Sequence, residues 1–352
     1  MPSAPDRRVK QQRVARVRVD AGGAALVLTS HEAVSWYLDG VRTHVSLAGP
    51  PVLAVRIDDD GDTLFVADNE ADRLVAEELL PDDAARLVRV PWQTPPAEAA
   101  AAAARSTAAP ALGESAVASA LRAARASLLP GERDRYRALG RATAEAMTDA
   151  ASSLDPADTE RHAAATLAAA LVARGIDPLV ILVAGRSRLA HRHPLPTDAP
   201  LGDRAMLVVC GRRHGLIANA TRWVGAAGPS DERILAVEAA FLAATRPAQS
   251  LATAFAAGCA AYGASGFDAD EWRRHHQGGP TGYAGRDPRA TVATRDAIVE
   301  HRAFAWNPSA PGAKVEDTVL ITATGVEVLT VDPQWPAVMH AGLRRPAPLP
   351  FG

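Results

Sequence analysis

Short apolar runs and polar turns alternate over the first hundred residues. Residues 24–29 (AALVLT), 51–57 (PVLAVRI), 63–67 (TLFVA) and 87–90 are dominated by aliphatic and β-branched side chains and predict strands. The acidic, glycine-bearing stretch 58–62 (DDDGD) between the second and third predicts a hairpin turn. Residues 69–80 carry apolar positions at helical spacing and stop before Pro81, which disfavours helical backbone at the residue ahead of it. Residues 95–113 break the pattern, being alanine-rich with prolines near both ends. Two readings fit them: an interdomain connector, or an alanine-rich helix packed on a core.

Beyond residue 113 the pattern changes to longer helical periods. Residues 115–128, 132–152 and 158–174 predict helices, with Pro130-Gly131 separating the first two and Gly175 ending the third. Residues 179–184 predict a strand, and 205–210 and 215–220 an antiparallel pair. Helices at 231–245 and 249–262 follow, then a hairpin of 319–322 with 327–330 around Thr324-Gly325. The expected architecture is α+β: a smaller α/β domain over 1–94, a linker over 95–113, and a larger domain over 114–352 built on an antiparallel sheet.

Composition narrows the function classes. The 352 residues carry a net charge of −2, which offers no field to hold a polyanion, so nucleic acid is not an expected partner. The basic residues Arg7, Arg8 and Lys10 near the start read as a solvated end rather than a binding arm. Cys210 and Cys259 are the two cysteines, too few for a disulfide framework, which suits a reducing cytoplasm. The first residues lack the apolar core of a secretory signal, and no uncharged apolar run of about twenty residues predicts a membrane span. His214 follows Cys210 by four residues, but no third group orients a nucleophilic pair, and Cys210 reads as a buried core residue.

Five segments in chain order resemble the creatinase/Xaa-Pro aminopeptidase family, whose fold is named pita-bread. They are 24–40 (AALVLTSHEAVSWYLDG), Gly202-Asp203 with 205–222 (AMLVVCGRRHGLIANATR), 274–282 (RHHQGGPTG), 303–308 (AFAWNP) and 315–322 (VEDTVLIT). The resemblance implies a creatinase-like first domain, a pita-bread second domain whose antiparallel sheet is curved, and a homodimer. Metal-dependent members hold two divalent ions with two aspartates, a histidine and two glutamates. In this chain those positions fall on Val208, Asn219, His276 (with His275 beside it), Asn307 and Glu316. Val208 has no lone pair and amide oxygens are weak neutral ligands, so one remaining carboxylate cannot balance two dications. No metal and no cofactor are expected.

Creatinase-like members cleave a C–N bond without metal, using a histidine ahead of the Gly-Asp strand as proton shuttle. The matching segment, 188–197 (RLAHRHPLPT), offers His191 and His193. His193 is preferred because Pro194 and Pro196 stiffen the backbone around it; a surface histidine in a polar loop is the competing reading. His193, His276 and Glu316 are the candidate catalytic residues. His191, Asn219, Thr221, His275, Tyr283, Arg286 and Asn307 are the candidate substrate contacts, Arg286 either as a carboxylate clamp or as a surface ion-pair partner. The expected function is a metal-independent hydrolase or lyase acting on a small polar substrate: an amide, a guanidino compound, an amino acid or a short peptide. The alternatives are a catalytically inactive binding module and a true Xaa-Pro aminopeptidase.

Overall fold

The computed structural model describes residues 2–103 and 110–352. The chain divides into two compact units between Glu132 and Arg133, inside the helix Pro130–Ala151.

In the first unit, β1 (Leu26–Leu28), β2 (Leu53–Asp58), β3 (Gly61–Ala67), β4 (Leu87–Val90) and β5 (Leu112–Gly113) form one sheet in the order β4-β3-β2-β1-β5. The predicted acidic turn joins β2 to β3 in antiparallel register, with Asp58 opposite Gly61. The helix Pro96–Ala102 lies on this sheet, with Ala100 buried against Val27, Ala54, Phe65 and Val90. Its small side chains let the helix approach closely, so the described part of 95–113 belongs to the first unit and does not stand apart as a connector. Residues 104–109 of that stretch lie outside the described residues.

The N-terminal segment corrects the expectation of a solvated end. Ala4–Asp20 is a helix, and Arg7, Lys10, Val14 and Val17 form its buried stripe at helical spacing. Lys10 pairs with Asp39 and Glu132 at 2.6 Å each, and Arg7 with Asp83 at 2.9 Å and with Asp62. Two of the inward positions are cations, so the periodicity is invisible to a reading that tracks apolar residues alone.

The second unit carries two antiparallel sheets. One has β6 (Asp177–Ala184), β7 (Arg204–Arg213) and β8 (Leu216–Gly225) in that order. The β7–β8 strands extend the predicted pair in both directions around a tight turn in which His214 and Gly215 both take positive φ. The other sheet joins β9 (Gly278–Thr281), β10 (Ala303–Trp306), β13 (Val319–Thr322) and β14 (Gly325–Val328) in the order β14-β13-β10-β9, with the short hairpin of β11 (Ser309–Ala310) and β12 (Ala313–Lys314) following β10. Helices Asp231–Ala244 and Leu251–Ala264 pack on each other and share one core with Phe304, Trp306, Val319 and Ile321. Phe241 stacks on Trp306 at 4.6 Å between ring centres. The hairpin of Ala337–His340 with Leu343–Pro346 was not predicted. No helix among the described residues is long and apolar enough to cross a membrane.

Candidate functional site

Strand alternation builds the floor of a cavity of about 500 Å³. Side chains two apart on a strand share a face, so Val208 and Cys210 on β7, and Ile217 and Asn219 on β8, line it together with Leu182 from β6. The segment after β12 runs beside β8: the Thr221 N–H donates to the Glu316 carbonyl at 2.9 Å, and the Asn219 N–H to Thr318 Oγ1 at 2.7 Å. Lys314 and Glu316, again two apart, reach the same cavity.

Those two residues and Arg286 form its electrostatic centre. Lys314 Nζ donates to Glu316 Oε2 at 2.6 Å and to Thr221 Oγ1 at 2.5 Å, while Arg286 Nη2 donates to Glu316 Oε1 at 2.6 Å. Burial alone would raise the Glu316 pKa, but Lys314 and then Arg286 outweigh it and hold the carboxyl at about 2. Arg286 Nη1 also donates to Asn219 Oδ1 at 3.3 Å, and Asn219 Nδ2 to Thr281 Oγ1 at 3.2 Å. Arg289, exposed and with no ion pair among the described residues, lines the same cavity, so three cations face one carboxylate.

Three imidazoles converge beside this cluster. His193, in the loop after β6, and His275, ahead of β9, meet Nε2 to Nε2 at 3.0 Å, and His275 Nδ1 lies 3.1 Å from Ser309 Oγ. His193 and His276 stack with ring centres 5.8 Å apart. The two glycines after Gln277 bring β9 close to β10: both have positive φ, and a Cβ on Gly278 would stand 2.1 Å from the Ala305 carbonyl. Burial is the main cause that lowers all three histidines. His276 falls to about 4, with Arg286 and Arg289 adding to the effect, and His275 to about 2, with His276 and Lys314 adding. His193, an exposed residue, moves the same way through the partial burial of its ring and Lys314. Glu316 pulls upward on each but does not prevail, so the rings are neutral at neutral pH.

The residues at the family's metal positions do not fit two divalent ions. Val208 offers no donor atom, the Asn219 oxygen accepts from Arg286, and both Glu316 oxygens are held by cations. The ring nitrogens of His193, His275 and His276 lie within 4.8 Å of one another, a spacing that admits a single ion. Lys314, Arg286 and Arg289 repel a dication there with only Glu316 to offset them.

Of the sequence candidates, His193, His276, Asn219, Arg286, Asn307 and Glu316 line the one cavity. His275 stands behind His193, and Thr221 braces Lys314 and Glu316. His191 is exposed and not part of the lining, and Tyr283 is buried and not part of it either. Arg286 serves inside the cavity rather than as a surface ion-pair partner. Burial pushes the Cys210 thiol up to about 12, so it is no nucleophile. Sequence reading missed Lys314 and Arg289. Lys314 was findable, since strand spacing puts it on the face of Glu316; nothing local marks Arg289. Three buried polar atoms of the lining, His276 Nδ1, Arg286 Nε and Asn307 Oδ1, lack a partner among the described residues.

No protein-family model matches the chain, and no curated protein does. Solved structures do. The dipeptidase PepE from Mycobacterium ulcerans is similar over 100% of both chains at 20% identity, with a TM-score of 0.75. The prolidase from Pyrococcus horikoshii OT3 matches over 92% of this chain and 98% of its own at 15% identity, with a TM-score of 0.73. The N-terminal domain of the FACT complex subunit SPT16 from Cicer arietinum matches over 93% and 97% at 12% identity, with a TM-score of 0.69. One fold therefore serves proteins of different kinds, and at such identities the likeness establishes architecture and not activity. Over essentially its whole length, this chain has the pita-bread fold of the prolidases and the Xaa-Pro dipeptidases and aminopeptidases.

Proposed function

We propose that the second unit is a metal-independent hydrolase or lyase acting on a C–N bond of a small polar compound. The observation that carries this reading is the convergence of His193 and His276 on one cavity with the Glu316 carboxylate, both of whose oxygens are held by cations of the protein. His193, relayed to His275, is the proposed proton shuttle. If His193 donates from Nε2, His275 donates from Nδ1 to Ser309, and the His193 Nδ1 lone pair is free to take a proton. Rotation of the Ser309 hydroxyl permits the opposite tautomers, in which His193 Nδ1 carries a proton to give. His276 is the second acid/base candidate, and Glu316 orients rather than attacks, since both its oxygens are engaged. The substrate class is an amide, guanidino compound, amino acid or short peptide. Three cations against one carboxylate favour its members that carry a carboxylate. The homodimer remains part of the proposal and rests on the resemblance alone.

The test is a thermal-shift screen of the whole chain with metals and with members of that class, followed by product analysis for each binder. A ligand at about a hundredfold its Kd stabilises by about 2.7 kcal/mol. Turnover that is lost in His193→Asn supports the enzyme. Binding without turnover supports a binding module instead. Near-stoichiometric manganese, cobalt or zinc in protein purified without chelator overturns metal independence.

A further inference from the structure

The guanidinium of Arg286 donates to side chains at two positions where the resemblance places metal ligands: Nη1 to Asn219 Oδ1 at 3.3 Å and Nη2 to Glu316 Oε1 at 2.6 Å. We infer that Arg286 is a built-in cation in the place of a bound divalent ion, bridging Asn219 and Glu316 and fixing the charge of the cavity. Three features support the assignment. First, the side chain is mostly covered, 13% exposed, and its partner Glu316 is 3% exposed, so the pair is an interior feature and not a surface contact. Second, the amide at 219 suits a guanidinium: it accepts from Nη1 while its own NH₂ donates to Thr281, without adding a second negative charge. Third, the two Nη atoms of the planar fork each meet a different acceptor, so one rigid cation spans both side chains. Lys314 supplies the second positive charge on Glu316 from the other side. Arg286 Nε is buried without an acceptor among the described residues, leaving a donor of a permanent cation unused at this cavity.

The inference rests on the pocket of the proposed function but not on turnover, so either can fail alone. The test uses Arg286→Ala in the full chain, probed with guanidinium chloride at about 20 mM and separately with manganese chloride. Removing the side chain leaves the Asn219 and Glu316 acceptors facing a space of guanidinium size. The expected result is a lower Tm for the variant, raised saturably by guanidinium by roughly 2–4 °C while the wild type does not rise. A response of the variant to manganese, absent in the wild type, supports the same assignment. An Arg286→Ala protein as stable as the wild type and indifferent to both cations overturns it, as does a wild type that takes up manganese with Arg286 in place. Should that variant fail to fold, Arg286→Gln is compared with the double variant Arg286→Gln, Glu316→Gln. Glu316→Gln completes the cycle: the inference requires the double variant to lose less stability than the sum of the two single losses, because the bridge can be lost only once, and additive losses refute it.

Discussion

Glu316 and Asp317 are consecutive, both are buried, and each anchors an ion network of a different character. Asp317 meets Arg222 at 2.9 Å and Arg345 at 2.9 Å, and accepts from Thr330 Oγ1 at 2.6 Å; Arg345 also grips Glu238. That network matches two acids to two bases and ties together the helix Asp231–Ala244, β8 and the C-terminal hairpin. The Glu316 network sets Lys314 and Arg286 on one carboxylate, with Arg289 close by, and opens onto a cavity. The balanced network also borders a cavity, through Glu238 and Arg345, and leaves Asp317 Oδ2 and Arg345 Nη1 without a hydrogen-bond partner among the described residues, so the two networks differ in charge balance. The excess of positive charge around Glu316 is what an incoming anionic group would offset.

If that distinction is right, removing one cation from each network has unequal consequences. Arg345→Met strands Glu238 in the interior, leaves Asp317 to Arg222 alone, and is expected to cost about 3–5 kcal/mol. Arg286→Met leaves Lys314 on Glu316 at a cavity water can enter, and the expected loss is about 1–3 kcal/mol. Urea midpoints at pH 7 compare the two, and equal losses would erase the contrast.

Acidity separates the networks by sign. The folded Glu316 pKa of about 2 lies below the ordinary 4.5, so its stabilisation is fully present above about 4.5 and is lost as pH falls toward 2. The amount is on the order of 3 kcal/mol. Glu238 goes the other way: burial first, then Asp317, raise it to about 7 against the pull of Arg345. Its ionisation works against the fold, so stability falls as pH rises from 4.5 through about 7, again by an amount on the order of 3 kcal/mol. Stability measured against pH should lose its acid limb in Glu316→Gln and its upper slope in Glu238→Gln. Swapped assignments would show that the two carboxylates have been misread.

The smallest effect is the most discriminating about the cavity. Thr330→Val removes the hydroxyl that donates to Asp317 and accepts from the Thr318 N–H at 3.1 Å, for an expected loss of about 1–2 kcal/mol. Asn307→Leu removes an acceptor that has no partner among the described residues, so the fold should lose under about 1 kcal/mol, or gain, while affinity for any ligand found in the screen falls. A larger stability loss at Asn307 than at Thr330 would make Asn307 a structural residue.

The amino-acid order alone determined most of the frame. Alternating apolar runs marked β1 to β4, the acidic turn fixed the first hairpin, and glycine and proline placed several of the helix ends and turns in the second unit, because these signals are local. Five segments in order pointed to the pita-bread fold and placed Val208, Asn219, Asn307 and Glu316 where metal ligands would be. The sequence did not disclose the helix Ala4–Asp20, whose buried stripe includes Arg7 and Lys10, since a cation reads as solvent-facing until its partners Asp39, Asp62, Asp83 and Glu132 are in place. Nor did it choose between His191 and His193, say whether burial or Glu316 would win over the histidines, or show that Arg286 and Lys314 neutralise Glu316. Those outcomes depend on which charges lie within a few ångströms once distant segments meet, and on how far water is excluded there. Only the folded chain sets both.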